Sequence, residues 1–422
     1  MKTTVNKRLN ETYHIEVLEN GLSVLIWEKP EFAKSFFGLA TNFGALHLSE
    51  EVDGVLNNFH SGIAHFLEHK MFENEDHSDV MNTFTALGCS VNAFTSYNET
   101  LYYFTSSNDD LKKPLNLLLD FVQQFKVSKA SVEKEKGIID SEYKMYQQMP
   151  GSKLIHSLFE GLFHNYPLNQ DISGDSENIM AISAQELELA HSYNYHPNNM
   201  LLVAVSKLNP KEILEIIKKN QSQKEFIKIK EIKKVFPVEP LQVKQKYQEI
   251  KMNLAQGKIA MGYKFKPDSL VGSGLIKRNL IFKMFCDANF TSTNNIYQKW
   301  LNDKIINDSF MADAEVSERA MFFLLINDDI NDNWSKTMDD YLQTVLKKPI
   351  TDQLLSQLKK RLIGKFIRDF DQVEEIAISA MQFHWQGVEL PEVLELIESI
   401  KVEDFNFIRE LDWTNKAILK II

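Results

Sequence analysis

The sequence has little cysteine and no long apolar run. Only Cys89 and Cys286 are cysteines among its 422 residues, which excludes a disulfide framework and a thiolate zinc cluster. The longest apolar runs, such as MLLVAV at 200–205, are far shorter than the roughly 20 residues that a membrane span requires. The first residues lack the apolar segment of a secretory signal. We therefore expect a cytoplasmic protein without a membrane span.

Positive charge is also scarce relative to negative charge. The chain carries 47 Lys and Arg against 58 Asp and Glu, a formal net charge of −11. This balance argues against a nucleic-acid partner and leaves cationic peptides open as a substrate class. The 44% hydrophobic content is that of a folded globular protein. A chain of this length is too long for one ordinary core, so we expect two domains of about 200 residues.

Local patterns predict a mixed fold in which strands are grouped. Asn20-Gly21 interrupts an alternating apolar and polar stretch, which predicts a β-hairpin. Apolar residues at helical spacing predict a helix within 61–72 and a long helix over about 129–147. The stretch SVNAFTSYNETLYYFTS at 90–106 is strand-like. Because strands and helices do not strictly alternate, the pattern is typical of an α+β fold.

The two halves of the chain resemble each other. SGIAHFLEHKMF at 61–72 has a counterpart in SGLIKRNLIFKMF at 273–285, and Asn108-Asp109-Asp110 recurs at 327–329. Several such matches in the same order indicate two copies of one fold. A lysine-rich stretch containing prolines separates them. We predict an N-terminal domain at 1–225, a linker at 226–245 and a related C-terminal domain at 246–422.

The motif HFLEH at 65–69 has the spacing of a metal site. His65 and His69 are four residues apart, so a helix places both on one face, and two imidazoles favour zinc. Glu68 neighbours His65 on that helix and suits a general base that acts on a water. The alternative is a solvated helix face with an incidental histidine pair. The second copy carries apolar or cationic residues at these positions, namely Arg278, Ile281 and Phe282, so this chemistry belongs to the first half.

A third ligand must come from elsewhere, and the helix over 129–147 offers glutamates. Glu135 and Glu142 are seven residues apart, which places them on the same helix face. One of them can bind the metal while the other holds a histidine or the water. Glu133 lies nearby as well. The spacing alone does not choose among these three carboxylates.

Together these residues resemble the pitrilysin family, the inverted zincins that include insulysin and the mitochondrial processing peptidase. The family signature is H-x-x-E-H followed some 70-odd residues later by a glutamate, and Glu142 follows His69 by 73 residues. GCSVNAFTSYNETLYYF at 88–104 and YHPNNMLLVAVS at 195–206 agree with it. The likeness is strongest to processing-protease-like proteins of Gram-positive bacteria. It covers the whole chain and implies two homologous α+β domains, each a mostly antiparallel sheet packed against helices.

The resemblance implies roles for particular residues. It makes His65, His69 and Glu142 the ligands of one Zn²⁺ per chain. It makes Glu68 the general base, and Glu135 the catalytic-site carboxylate that supports the ligands. It also implies that an open strand edge binds peptide as an added strand, with the residues Asn92, Ala93, Phe94 and Thr95.

Two departures from the family pattern imply a partner. Self-contained members supply an Arg and a Tyr that stabilise the developing oxyanion, whereas the corresponding stretch here has Lys299 or Trp300 near the Arg place and Phe310 near the Tyr place. Single-chain members also enclose a chamber with four such domains, and this chain has two. The resemblance therefore implies a heterodimer with a zinc-less sister chain that supplies the Arg and Tyr, with a homodimer as the other option.

The function implied is that of a zinc metalloendopeptidase, or its catalytic subunit, hydrolysing short or unfolded peptides in a closed chamber formed with a partner of similar fold. The alternative is a non-catalytic peptide-binding or scaffold subunit of a peptidase-like heterodimer. A metal-dependent hydrolase of a non-peptide substrate is a third option, but a small substrate gains nothing from strand pairing. His60 and His77 flank the motif and are secondary candidates for substrate contact.

Overall fold

The computed structural model describes residues 1–73, 79–328, 331 and 333–422. His77 lies outside these residues, as does Asp329 of the internal repeat. The strands are β1 (Lys2–Asn6), β2 (Glu11–Val17), β3 (Ser23–Glu28), β4 (Ser35–Thr41), β5 (Ser49–Val52), β6 (Val55–Asn58), β7 (Ser90–Thr95), β8 (Thr100–Ser106), β9 (Met200–Ser206), β10 (Ile232–Lys234), β11 (Tyr247–Ile250), β12 (Lys258–Phe265), β13 (Met311–Val316), β14 (Met321–Asn327) and β15 (Lys416–Ile421).

Helices accompany these strands, and several of them contact a strand. They are α1 (Ile63–Met71), α2 (Val80–Ala86), α3 (Lys112–Gln123), α4 (Lys129–Gln148), α5 (Pro150–Leu162), α6 (Ser176–Ala181), α7 (Ala184–Asn194), α8 (Pro210–Gln221), α9 (Gly272–Phe290), α10 (Asn295–Asn302), α11 (Trp334–Val345), α12 (Asp352–Asp369), α13 (Val373–Trp385), α14 (Glu392–Ser399) and α15 (Asn406–Glu410).

The chain forms two compact units, and each is discontinuous in sequence. Unit 1 consists of Met1–Lys144, Gln170–Phe236 and Arg368–Trp385. Unit 2 consists of Met145–Asn169, Pro237–Ile367 and Gln386–Ile422. Each unit therefore includes one segment from the other half of the sequence. Two continuous ranges cannot describe such units. The boundaries at 225 and 246 stay a prediction.

Unit 1 is built on a seven-stranded sheet in the order β1-β2-β3-β9-β4-β8-β7, beside a small sheet in the order β10-β5-β6. Neighbours in the large sheet are antiparallel except β3 and β9, which are parallel. Asn20-Gly21 forms the turn between β2 and β3, as predicted. Gly21 has a φ of +93° there, a conformation that glycine adopts without steric cost.

The central strands of unit 1 are buried along their whole length. Phe37 and Leu39 of β4 belong to the core cluster that includes α1 and α3. Phe36 and Ala40 alternate to the opposite face and are also buried, and α13 contacts β4 and β9. Strands covered on both faces read as continuous apolar runs, which explains MLLVAV in β9.

Unit 2 repeats the topology of unit 1 on five strands. Its sheet has the order β11-β15-β12-β14-β13, which corresponds to β3-β9-β4-β8-β7. The correspondence includes the single parallel pair, β11 with β15, and the three antiparallel pairs that follow it. The predicted fold class, two homologous α+β domains with mostly antiparallel sheets packed against helices, is confirmed. No helix in the described part of the chain has the length and apolarity to cross a bilayer.

Candidate metal centre

Helix α1 holds the HFLEH motif at the surface of the unit 1 core. Ile63, Phe66 and Leu67 are buried in the core cluster, as the helical spacing predicted. This packing turns the two motif histidines towards α4, with side chains 14% exposed for His65 and 24% exposed for His69. Their ring centroids are 4.6 Å apart. The predicted helix therefore places both imidazoles on one face.

Helix α4 brings one carboxylate to both histidines. Oε2 of Glu142 lies 3.4 Å from Nε2 of His69 and 3.9 Å from Nε2 of His65. One potential ligand atom from each of the three residues lies within 4.8 Å of the others. Glu133, by contrast, is 69% exposed and pairs with Lys136. Among the three glutamates that the spacing left open, the geometry brings Glu142 to the histidine pair.

Glu135 occupies the other side of His69. Its Oε1 lies 3.1 Å from Nδ1 of His69, so the Nδ1–H donates to the carboxylate and Nε2 is left facing Glu142. A carboxylate in this position fixes the orientation and tautomer of a metal-binding histidine. Among the described residues, no atom is hydrogen-bonded to the buried Nδ1 of His65.

Lys70 is a buried cation beside the cluster that the sequence analysis missed. Its side chain is only 2% exposed and bonds to Glu73 and, at 3.3 Å, to Oε2 of Glu135. Ser131 on α4 donates to the same Glu73 carboxylate at 2.6 Å. Lys70 thus holds the second oxygen of the carboxylate whose first oxygen holds His69. Helical spacing could have predicted that Lys70 is buried, since it follows the buried Ile63 by seven residues and so lies on the same face.

Glu68 lies under the end of strand β7. The hydroxyl of Thr95 donates to Oε2 of Glu68 at 2.6 Å, and α1 contacts β7. Burial raises the pKa of the Glu68 carboxyl above its usual range, and the hydrogen bonds from Thr95 oppose this rise. The predicted base is thus a partly buried carboxyl held by one residue of the predicted substrate strand.

Of the two histidines, His69 is the one that carries positive charge in this cluster. Burial, together with the charge of His69, lowers the pKa of His65 to about 4. Burial also opposes a charge on His69, but hydrogen bonds to Glu135 and Glu142 outweigh it and raise the pKa of His69 to about 9. The hydrogen bond with His69 lowers the pKa of both glutamates. His69 holds its proton between the carboxylates of Glu135 and Glu142, so this place favours positive charge. The two imidazole nitrogens and the Glu142 carboxylate match the donor set of zinc.

Strand β7 is an edge strand of the described sheet, with β8 as its neighbour. Val91 and Ala93 pack against the core, while Asn92 is exposed. The backbone N–H of Ala93 is bonded at 2.9 Å by the side chain of Asn92. Of the predicted substrate residues, Asn92, Ala93 and Phe94 lie along this edge, whereas the side chain of Thr95 is committed to Glu68.

The corresponding residues of unit 2 serve its core. Ile281 and Phe282 of α9 are buried, and Arg278 stacks on Phe407 and pairs with Asp268. The resemblance put Lys299 or Trp300 near the Arg place and Phe310 near the Tyr place. Trp300 and Phe310 are buried and pack against each other with centroids 6.1 Å apart, while Lys299 is exposed. In unit 1, His60 is bonded to Glu186.

Comparisons with known proteins agree over both halves. Residues 28–176 match the family model "Insulinase (Peptidase family M16)", and residues 181–362 match "Peptidase M16 inactive domain". The chain is 32% identical over 409 residues to the "uncharacterized zinc protease YmfH" of Bacillus subtilis, which covers 96% of this chain and 95% of that protein.

Two further matches are informative. Over 207 residues the chain is 28% identical to mitochondrial-processing peptidase subunit beta of Bos taurus, covering 48% of this chain and 40% of that one. An M16-like peptidase from Alicyclobacillus acidocaldarius has a solved structure with a TM-score of 0.93 and 28% identity, covering 98% of both chains. The chain belongs to peptidase family M16, the insulinase or pitrilysin family, as its motif and repeat predicted.

Proposed function

We propose that the chain is a zinc metalloendopeptidase, or the catalytic subunit of one, that hydrolyses short or unfolded peptides. The observation that carries the proposal is the convergence of His65, His69 and Glu142 from two helices, with Glu68 one residue before His69. The relative named as a zinc protease over 95% of its length supports the same activity. The three converging residues would hold one zinc ion per chain.

The residues of unit 1 divide the work of peptide hydrolysis. A zinc ion held by His65, His69 and Glu142 would supply Lewis acidity for the attacking water and the scissile carbonyl. Glu68 takes the proton of the water and passes it to the leaving amine. Glu135, itself bonded to Lys70, keeps His69 in one tautomer. The bond to Glu135 thus fixes the orientation of the His69 ring.

The edge of β7 is proposed to bind the peptide in an extended conformation. Backbone hydrogen bonds to an edge strand supply affinity with little dependence on sequence, which suits unfolded substrates. The Asn92 side chain occupies the N–H of Ala93, so an incoming strand displaces it. This exchange replaces one hydrogen bond with another and costs little. The net charge of −11 is compatible with cationic peptides.

We further propose that a partner of similar fold completes the enzyme. Neither a guanidinium nor a phenol stands at 299, 300 or 310, and Trp300 and Phe310 are core residues of unit 2. The Arg and Tyr whose stabilisation of a developing oxyanion is usually large are therefore missing from this stretch. A zinc-less sister chain would supply the Arg and Tyr and close a chamber that excludes folded proteins. The mitochondrial relative is itself named as a subunit. A homodimer is the other arrangement, and the proposed compartment is the cytoplasm.

The second candidate is a non-catalytic peptide-binding or scaffold subunit. It is favoured by the same lack of an Arg at 299 or 300 and of a Tyr at 310. Against it stands the complete set of converging ligand candidates in unit 1, since a scaffold has no need for two imidazoles and a carboxylate around one point.

The test is cleavage of a mixture of unstructured, fluorescence-quenched peptides by the zinc-loaded chain. Glu68→Gln is the inactive variant, and Glu133→Gln is the matched control because it removes an exposed carboxylate of the same region. Turnover that Glu68→Gln abolishes and Glu133→Gln retains supports the peptidase. If the chain alone is silent, a zinc-less chain of similar fold is added. Restored turnover supports the heterodimer, whereas binding without cleavage in both cases favours the scaffold.

A further inference from the structure

We propose that Thr95 is the positioning residue of the general base, whose hydroxyl holds one carboxylate oxygen of Glu68 and leaves the other for proton transfer. The inference rests on the proposed peptidase function. It gives Thr95 a role different from that of its neighbours on β7, which the family resemblance grouped together as substrate-binding residues.

The hydrogen bond between Thr95 and Glu68 has a defined direction. Oγ1 of Thr95 lies 2.6 Å from Oε2 of Glu68, a distance typical of a hydroxyl bonded to a charged carboxylate. An ionised carboxylate only accepts hydrogen bonds. The proton in this bond therefore comes from Thr95.

A second hydroxyl lies behind Thr95. Thr100 on β8 is fully buried, and its Oγ1 donates to the backbone carbonyl of Phe43 at 2.9 Å. The Thr95 and Thr100 oxygens are 3.3 Å apart. Because Thr100 gives its single proton to the carbonyl, it does not compete for Oε2 of Glu68. The hydroxyl of Thr95 therefore has one acceptor at short distance, Oε2 of Glu68.

The position of Thr95 on the strand explains why a side chain can take this role without disturbing peptide binding. Alternate residues of a strand share a face, so Val91, Ala93 and Thr95 point the same way. Val91 and Ala93 pack against the core, and α1 and α2 both contact β7. The side chain of Thr95 therefore faces α1, and the outer backbone edge of β7 has no strand neighbour in the described sheet. Threonine also suits the task because its β-branched side chain has few rotamers.

Loss of this bond is expected to affect the chemical step. A general base acts only from hydrogen-bonding distance and with its lone pair aligned, and misplacement of a catalytic group lowers the rate steeply. Without the hydroxyl, only the hydrogen bond from the backbone of Thr95, among the described residues, still holds the Glu68 carboxylate, so its rotation about the last torsion is less restricted. Since a hydrogen bond to a charged group contributes more than a neutral one, we expect a fall in kcat of about 10-fold or more.

The experiment compares Thr95→Val with Thr95→Ser in the assembly that gives turnover. Valine keeps the shape of threonine and removes the hydroxyl, and serine restores the hydroxyl without the methyl group. We expect Thr95→Val to lower kcat by about 10-fold or more with KM within about twofold, and Thr95→Ser to recover most of the loss. Zinc content is expected to be unchanged in both variants, because neither touches His65, His69 or Glu142.

Other readouts separate this inference from the proposed function. In a Glu68→Gln background, Thr95→Val should leave the affinity for a fluorescent unstructured peptide unchanged, and a weakened affinity would make Thr95 a substrate contact instead. Equal kcat for Thr95→Val and wild type, or equal impairment in Thr95→Ser, overturns the proposal. If no assembly turns over peptide, the proposed function fails. A crystal structure of Thr95→Val then still tests whether Thr95 positions the Glu68 carboxylate. A rotated Glu68 carboxylate supports the positioning role, and an unmoved one contradicts it.

Discussion

Substituting Gly62 by alanine should damage both the fold of unit 1 and its metal centre. Gly62 directly precedes α1 and has a φ of +87°, a conformation that costs other residues about 1–2 kcal/mol. A Cβ there would lie 2.2 Å from the carbonyl oxygen of Ser173 and 2.8 Å from the nitrogen of Gly174. Both are backbone atoms that cannot rotate away, and a forced backbone shift costs about 1–3 kcal/mol. The expected loss of stability is about 2–5 kcal/mol.

The same shift should weaken metal binding. The carbonyl of Gly62 accepts the N–H of Phe66, so displacement of Gly62 moves the first turn of α1 and with it His65. The assays are urea denaturation of the metal-free chain and competition for zinc with a chromophoric chelator. We expect an earlier urea midpoint and a zinc affinity lower by about 10-fold or more.

A matched glycine provides the control. Gly137 lies within α4, and a Cβ there would meet nothing within 4 Å. Gly137→Ala should therefore stabilise the chain by up to about 1 kcal/mol, because alanine is the better helix former. If Gly62→Ala stays within about 0.5 kcal/mol of wild type, or binds zinc as tightly, the reasoning on the entry to α1 is wrong.

Three further predictions concern charge. Lys70→Met removes a buried cation from the carboxylates of Glu73 and Glu135 and should destabilise the chain by about 3 kcal/mol in urea denaturation. Lys144→Met removes an exposed ion pair and should cost less than about 0.5 kcal/mol. Burial lowers the pKa of His191 to about 4, while an unfolded histidine titrates near about 6.5. Between about pH 4 and 6.5 the unfolded state therefore binds more protons than the folded state. The free energy of unfolding is at its full value above about pH 6.5 and falls by up to about 3 kcal/mol towards pH 4 through His191. Glu142→Gln should weaken zinc binding by at least about 10-fold in the chelator assay, and Glu133→Gln should leave it unchanged.

Each of these has a contrary outcome. Similar urea midpoints for the two lysine variants would mean that Lys70 does not compensate buried charge. The His191→Gln variant should lose much of the slope of stability between pH 6.5 and 4, and an unchanged slope would assign that slope to other groups. Equal zinc affinity in Glu142→Gln and Glu133→Gln would remove Glu142 from the ligand set.

Features set by short-range spacing could be predicted from the sequence. The Asn20-Gly21 hairpin, the helix with its buried residues at 63, 66 and 67, and the long helix at 129–148 all follow from local periodicity and turn chemistry. The internal repeat predicted two related domains, and the shared strand order of the two sheets agrees. These features depend on neighbours within about one or two turns, which a sequence displays directly.

What depended on the packing of distant segments could not be derived from spacing. The sequence alone does not distinguish the three glutamates of α4, which are Glu133, Glu135 and Glu142. Only the packing of α4 against α1 brings Glu135 and Glu142 to the histidines. The bond from Thr95 to Glu68 joins a strand to a helix across 27 residues. The exchange of 145–169 and 368–385 between the units likewise reflects which sheet each helix packs on, as with α5 on β12 and α13 on β9.

The central claim is that His65, His69 and Glu142 form one metal site. The most direct measurement is X-ray diffraction above and below the zinc absorption edge from crystals of the zinc-loaded chain. The account predicts one anomalous peak per chain, within about 2.0–2.2 Å of a nitrogen of each histidine and an oxygen of Glu142. No peak at that place, or a peak whose ligands leave out Glu142, would contradict it.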